Sequence, residues 1–355
     1  MLCAASILAT ACSGAGDNIA VPITTTEQPR QIAEPQTTTS TTTTTTTEAP
    51  RQPMAEVHVL GSLRSVPVAA STDTAAGAET EAAESSDADD TEDDALAAAS
   101  PAEALRTVAS PVLAGDDATI ASLACTRSSG CEPTDLAAWA ANTLDVVNLA
   151  TGAAGDDGIV VLDEYAAALL ASGVATAGYG ADLASAVEPA IVGDPEIPVQ
   201  VFAISFAQGL PNDLIATEST SGIAAGDDAF AALVAALNAS PPEDAQTVVI
   251  VDFGLLEDRA PSEDVSARVQ VLVEAGADAV VVHGSDFLQR FERIANTAVA
   301  FSLGNAASTT TEPLRRDTAI LRLVFEDETQ NACLFPATGG ESGVGMDDPS
   351  LTECP

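Results

Sequence analysis

The chain has 355 residues and is 46% hydrophobic, and its 53 Asp and Glu against 12 basic residues give a formal net charge of −41. Every basic residue is Arg, and there are two histidines. This balance excludes a nucleic-acid binder, which needs a basic face to displace counterions, disfavours adsorption to anionic lipid, and leaves too few imidazoles for a multi-histidine metal centre.

At the N-terminus a short apolar stretch runs through small residues to Cys12 and resembles a bacterial lipobox, with Ala9 where a leucine is usual. The expectation is a signal over residues 1–12, lipidation of Cys12, and an extracytoplasmic chain that meets the membrane through this anchor only. Residues 13–54, with a Thr run from Thr41 to Thr47, are too polar to bury a core and read as a Thr/Pro-rich tether. No later segment offers the roughly 20 continuous apolar residues of a membrane-spanning helix. Beyond Cys3 and Cys12, four cysteines remain: Cys125, Cys131, Cys333 and Cys354. They allow three connectivities, of which the local one, Cys125–Cys131 with Cys333–Cys354, is simplest. Disulfides imply an oxidising compartment; free buried thiols are the alternative.

The folded region is expected over residues 55–336, interrupted by a disordered insert at 71–100 and followed by a tail at 337–355. The insert carries ten acids between Asp73 and Asp94 and no base, so self-repulsion keeps it open. Glu56 to Ser62 reads as a first strand, and Asp145 to Ala150 as a short apolar run closing on a Gly-rich loop. Gly158 to Ala171 has helical spacing, and Gly173 to Ala177 and Val199 to Ser205 are strands. Asp227 to Leu237 is a helix, Thr247 to Val251 a β-branched strand, and Asp264 to Ala275 a helix stopped by Gly276. Ala279 to Val282 and Val299 to Leu303 are further strands, and Ala319 to Phe325 alternates like an antiparallel edge strand. Strands separated by helices predict an α/β domain, with any site in the loops at the strand carboxyl ends: Thr151 to Gly158, Asp252 to Asp258, His283 to Asp286 and Gly304 to Ala306.

Three stretches give these loops a family likeness. They are Leu144 to Gly158 with the following helix and strand, Gly276-Ala277-Asp278-Ala279-Val280-Val281-Val282-His283 ending in Leu288-Gln289, and Ala300-Phe301-Ser302-Leu303-Gly304-Asn305. In order and spacing they resemble the poly-γ-glutamate capsule-synthesis proteins, the CapA family, over about Val57 to Pro336. The resemblance implies a metallophosphoesterase-like α/β/β/α sandwich of two mixed β-sheets flanked by helices. It also implies a di-metal centre of Asp, Asn and His at strand ends, where two cations clamp a phosphoryl group and activate a water. The positions that match those ligands have changed. The early Gly-Asp is Gly61-Ser62, Asn-Leu-Glu is Ser122-Leu123-Ala124, and Asn-Asn-His is Thr151-Gly152-Ala153. His-Trp-Gly is Asp252-Phe253-Gly254, and His-His-Pro-His is His283-Gly284-Ser285-Asp286.

Asp252, His283 and Asp286 are the surviving metal-ligand candidates, two carboxylates and an imidazole that suit one weakly bound divalent ion; the plainer reading is a strand-end histidine and solvated or capping acids. His58 reads as a packed strand residue. Gly155 to Gly158 reads as a turn, lacking the spaced acids of an EF-hand, and the Gly-rich run Gly339 to Gly345 lacks the helix of a phosphate loop. Three functions compete. The first is a non-catalytic CapA-like domain without cofactor, in envelope or capsule-polymer handling, its partners envelope proteins or the polymer. The second is a metal-dependent hydrolase with a rebuilt site, and the third a passive acidic surface protein soluble in a salty medium.

Overall fold

Residues 54–63, 118–127, 131–239, 245–256, 258–307, 313–315, 317–326, 329–340 and 343–346 are described by a computed structural model. The expected signal, nearly all of the tether, the acidic insert, Cys12 and Cys354 lie outside them. In chain order the elements begin with β1 (Met54–Leu63), β2 (Ala118–Leu123), α1 (Pro133–Ala140), β3 (Val146–Asn148), α2 (Ile159–Ala171), β4 (Ala175–Ala177) and β5 (Tyr179–Gly180). They continue through α3 (Leu183–Ala186), β6 (Ala190–Val192), β7 (Val199–Ser205), β8 (Gly222–Ile223), α4 (Gly226–Asn238), β9 (Gln246–Leu256), α5 (Glu263–Glu274) and β10 (Ala279–Ser285). Last come β11 (Phe291–Ile294), β12 (Thr297–Ala300), β13 (Asn305–Ala307), β14 (Asp317–Glu326), β15 (Thr329–Gly340) and β16 (Gly343–Met346).

Two mixed sheets form from these strands. The first has the order β13-β15-β14-β1-β2-β3-β4, with β16 on β15. Strands β1 to β4 run parallel, and β14 lies antiparallel between β1 and β15. The second has the order β11-β12-β10-β9-β7-β6; β7, β9, β10 and β12 are parallel, and β6 and β11 are antiparallel edges. A small ribbon pairs β5 with β8.

Pleat parity explains the layers, because successive side chains on a strand face opposite ways. In the second sheet, Val201, Ala203, Val248, Ile250, Val281 and Ala300 share one core cluster with Val57, Val59, Ile120 and Leu321 of the first sheet. The intervening Phe202, Ile204, Val249, Val251, Val280 and Val282 form a second cluster with Leu233 of α4 and Val265, Val269 and Leu272 of α5. Burial on both faces is why these strands read as unbroken β-branched runs. The crossover helices α1 and α2, through Leu136, Trp139, Leu162, Tyr165 and Leu169, cover β2 to β4. The result is the α/β/β/α sandwich expected from the sequence. Among the described residues no helix is long and apolar enough to cross a membrane.

Two details differ from the sequence reading. β14 is not an edge strand, because β15 pairs along its whole length, from Asp317↔Thr338 to Glu326↔Thr329. Folded structure also continues past Pro336: β15 runs to Gly340, and the glycine-rich run turns back as a hairpin, with Gly339 opposite Val344. Cys125 and Cys131 are joined by a disulfide; Cys333, on β15, is also disulfide-bonded.

Candidate functional site

The carboxyl ends of the parallel strands of both sheets open on one cleft of about 1060 Å³, lined by residues of all four expected loops. Several apolar strands there close on a buried polar residue: Ser62 on β1, Ser122 on β2, Asn148 on β3, Ser205 on β7 and Asp252 on β9. An apolar run carries each strand into the core, and the polar residue that follows the run meets the loops, where hydrogen-bond partners exist.

These groups bond mainly to one another and to backbone. Ser62 Oγ lies 3.2 Å from His283 Nδ1, across the two sheets, while Ser62 N donates to Gly304 O at 3.1 Å. Asn148 Nδ2 donates to Ser122 Oγ at 3.0 Å, and Asn148 Oδ1 accepts from Ala150 N at 2.8 Å. Thr151 Oγ1 donates to Leu123 O. Asp252 Oδ2 accepts from Gly152 N at 2.9 Å, Gly254 N at 3.2 Å and Ser205 Oγ at 3.3 Å, and so ties three loops together.

Of the three candidate ligands, Asp252 and His283 are register partners on adjacent parallel strands. Asp286 is instead turned to Arg315, with which it forms an ion pair, and to Asn305 Nδ2 at 3.1 Å. His283 is 1% exposed and its Nε2 has no hydrogen-bond partner among the described residues; burial pushes its pKa down to about 4, so the ring is neutral at pH 7. Gly284, where the resemblance places a second histidine, has φ +119°, and a Cβ built on it would stand 2.0 Å from Gly254 O. Gly254 is itself at φ +72°.

A two-metal centre needs several anionic or imidazole ligands around two cations. Apart from Asp252, His283 and Asp286, the matched positions offer Ser62, Ser122, Ala124, Thr151, Gly152, Ala153 and Gly284, neutral oxygens at best. Among the described residues, no group of three or more His, Cys, Asp or Glu gathers as a metal site. The residues present do not fit the di-metal centre that the resemblance implies.

His58 is buried on β1 with Nε2 3.5 Å from Glu56 Oε1, and Arg322 Nε and Nη2 grip the same carboxylate at 2.7 and 2.9 Å. The Gly155 to Gly158 stretch falls on a 3₁₀ turn, Ala154–Asp157.

The sequence reading missed part of the cleft wall. Phe206 to Pro211 follow β7, and Ser262, Asp264 and Arg268 belong to the start of α5. Arg268 lies 3.9 Å above the Phe206 ring, which stacks on Phe253 with centroids 5.3 Å apart. A polar residue closing an apolar strand would have flagged Ser205 and Asn148. Arg268 and Arg315 reach the cleft only through tertiary packing and carry no local signal.

With this geometry in hand, comparison with known proteins gives a family match. The family model described as bacterial capsule synthesis protein PGA_cap matches residues 88–310. No curated protein matches the sequence significantly. Among solved structures, a hypothetical protein from Thermus thermophilus is similar with a TM-score of 0.48 at 12% identity, covering 79% of this chain and 98% of that one. A second protein of the same organism, TT1561, gives a TM-score of 0.38 at 13% identity, covering 66% and 91%.

Proposed function

Because the chain belongs to the bacterial capsule synthesis protein family, we propose that it is an extracytoplasmic, lipid-anchored member that handles an envelope or capsule polymer without hydrolysing phosphoesters. The observation that carries this reading is the donor chemistry of the strand ends. At most positions where the family resemblance would put anionic and imidazole ligands, the chain carries serines, a threonine, alanines and glycines, and Ser62, Ser122 and Thr151 are engaged in hydrogen bonds. Without two cations, no bridging water is activated and no second charge stabilises the leaving oxygen. The strands hold together through their apolar faces, so the scaffold needs no metal to fold. On this reading the protein uses no cofactor, binds envelope proteins or the polymer, avoids nucleic acid, and meets the membrane through Cys12 alone.

The test is an assay of the purified protein on a generic phosphodiester and phosphomonoester, with manganese or zinc added. We expect no turnover above the metal-only background. Saturable turnover that His283→Ala abolishes would instead establish a rebuilt metal-dependent hydrolase.

A further inference from the structure

We propose that the cleft binds a neutral, hydroxyl-rich carbohydrate segment, an inference that rests on reading the cleft as a non-hydrolytic binding surface. The cationic side chains lining it are already matched. Arg315 pairs with Asp286, Arg268 bridges Asp264 at 3.3 Å and Asp227 at 2.9 Å, and Asp252 is held by backbone amides. Among the described residues that line the cleft, each guanidinium therefore has its carboxylate, and Asp156 adds a further acid. A polyanion entering here would meet no surplus cation and a chain of net charge −41, and like-charge juxtaposition selects against such a ligand.

What the walls offer is a set of donors and acceptors without excess positive charge. Arg268 spends Nε and Nη1 on carboxylates, which leaves Nη2 for a ligand. The Gln208 amide and the Asp156 carboxylate are exposed and take no side-chain hydrogen bond among the described residues. Ser262 Oγ accepts from Val265 N at 3.2 Å and keeps its own hydrogen to give. A sugar hydroxyl both donates and accepts, so adjacent hydroxyls suit mixed groups of this kind. The Arg268 guanidinium is fixed in advance by two carboxylates and the Phe206 ring, so little side-chain freedom is lost on binding. The volume of about 1060 Å³ lies just above the roughly 300–1,000 Å³ of ligand pockets and suits several linked sugar units.

Titration calorimetry of the full chain with maltohexaose, cellohexaose and laminarihexaose tests this, with poly-γ-glutamate and spermine titrated in parallel. We expect at least one hexasaccharide to saturate a single site with little dependence on salt. Gln208→Ala and Arg268→Gln should each weaken it about tenfold. Gln208 is exposed and makes no side-chain bond among the described residues, so its variant folds even where loss of the Arg268 stack disturbs the other. Saturation by poly-γ-glutamate or spermine alone overturns the inference, as does the absence of any saccharide binding or saccharide binding that neither variant weakens. None of these outcomes touches the non-hydrolytic reading, which falls only on phosphoester turnover.

Discussion

At residue scale the most consequential side chain is His283. Its imidazole is buried beside Ser62, and desolvation alone lowers its pKa to about 4. An unfolded histidine titrates near 6.5, so between those values the unfolded chain binds more protons than the folded one. Stability from this group therefore rises as pH climbs from about 4 to about 6.5 and is lost in the other direction, by about 3 kcal/mol over the whole window. Urea unfolding of wild type and His283→Gln across that range isolates the effect from the many carboxylates. The wild-type curve should climb more steeply by about that amount, and parallel curves would refute it.

At the scale of elements, the β-branched strands of the second sheet were readable because burial on both faces forces an apolar run, and α5 because Gly276 ends it. The edge assignment of β14 failed because its partner is β15, whose Thr329 to Gly340 carries Pro336 and three glycine or alanine positions near its end and so lacks strand periodicity. The candidate site was half legible. Asp252 and His283 sit within β9 and β10 and Asp286 one residue past β10, but several partners that engage Asp252 and Asp286, among them Gly152, Ser205 and Arg315, are distant in sequence and invisible to spacing.

The disulfides belong to this scale as well. Cys125–Cys131 closes a short loop, with a sequence separation of 6, beside Thr126 at the cleft. In the chain-entropy account a loop of this size contributes about 2 kcal/mol. Cys131→Ser should lower unfolding stability by about that much in a denaturant titration. Peptide mapping without reductant is expected to recover this bond and Cys333–Cys354; four free thiols would refute both.

At the scale of the whole molecule, the prediction concerns its leash. If Cys12 carries lipid, a folded domain of strongly negative charge is held at a membrane that its surface would otherwise avoid. Cys12→Ala expressed in a bacterial host should move the protein from the membrane fraction to the soluble one. Unchanged fractionation would exclude the anchor. The close contact between Gly284 and Gly254 bears on which side chains this cleft can take. An imidazole at position 284 cannot be introduced by exchanging one side chain, because its first carbon would collide with the neighbouring strand's carbonyl. Strands β9 and β10 would first have to part, disturbing the pairing of His283 with Asp252 and of Ser285 with Leu256. Backbone geometry thus acts as a latch, and new chemistry in this cleft is easier to build from the groups that line it than from an imidazole at position 284.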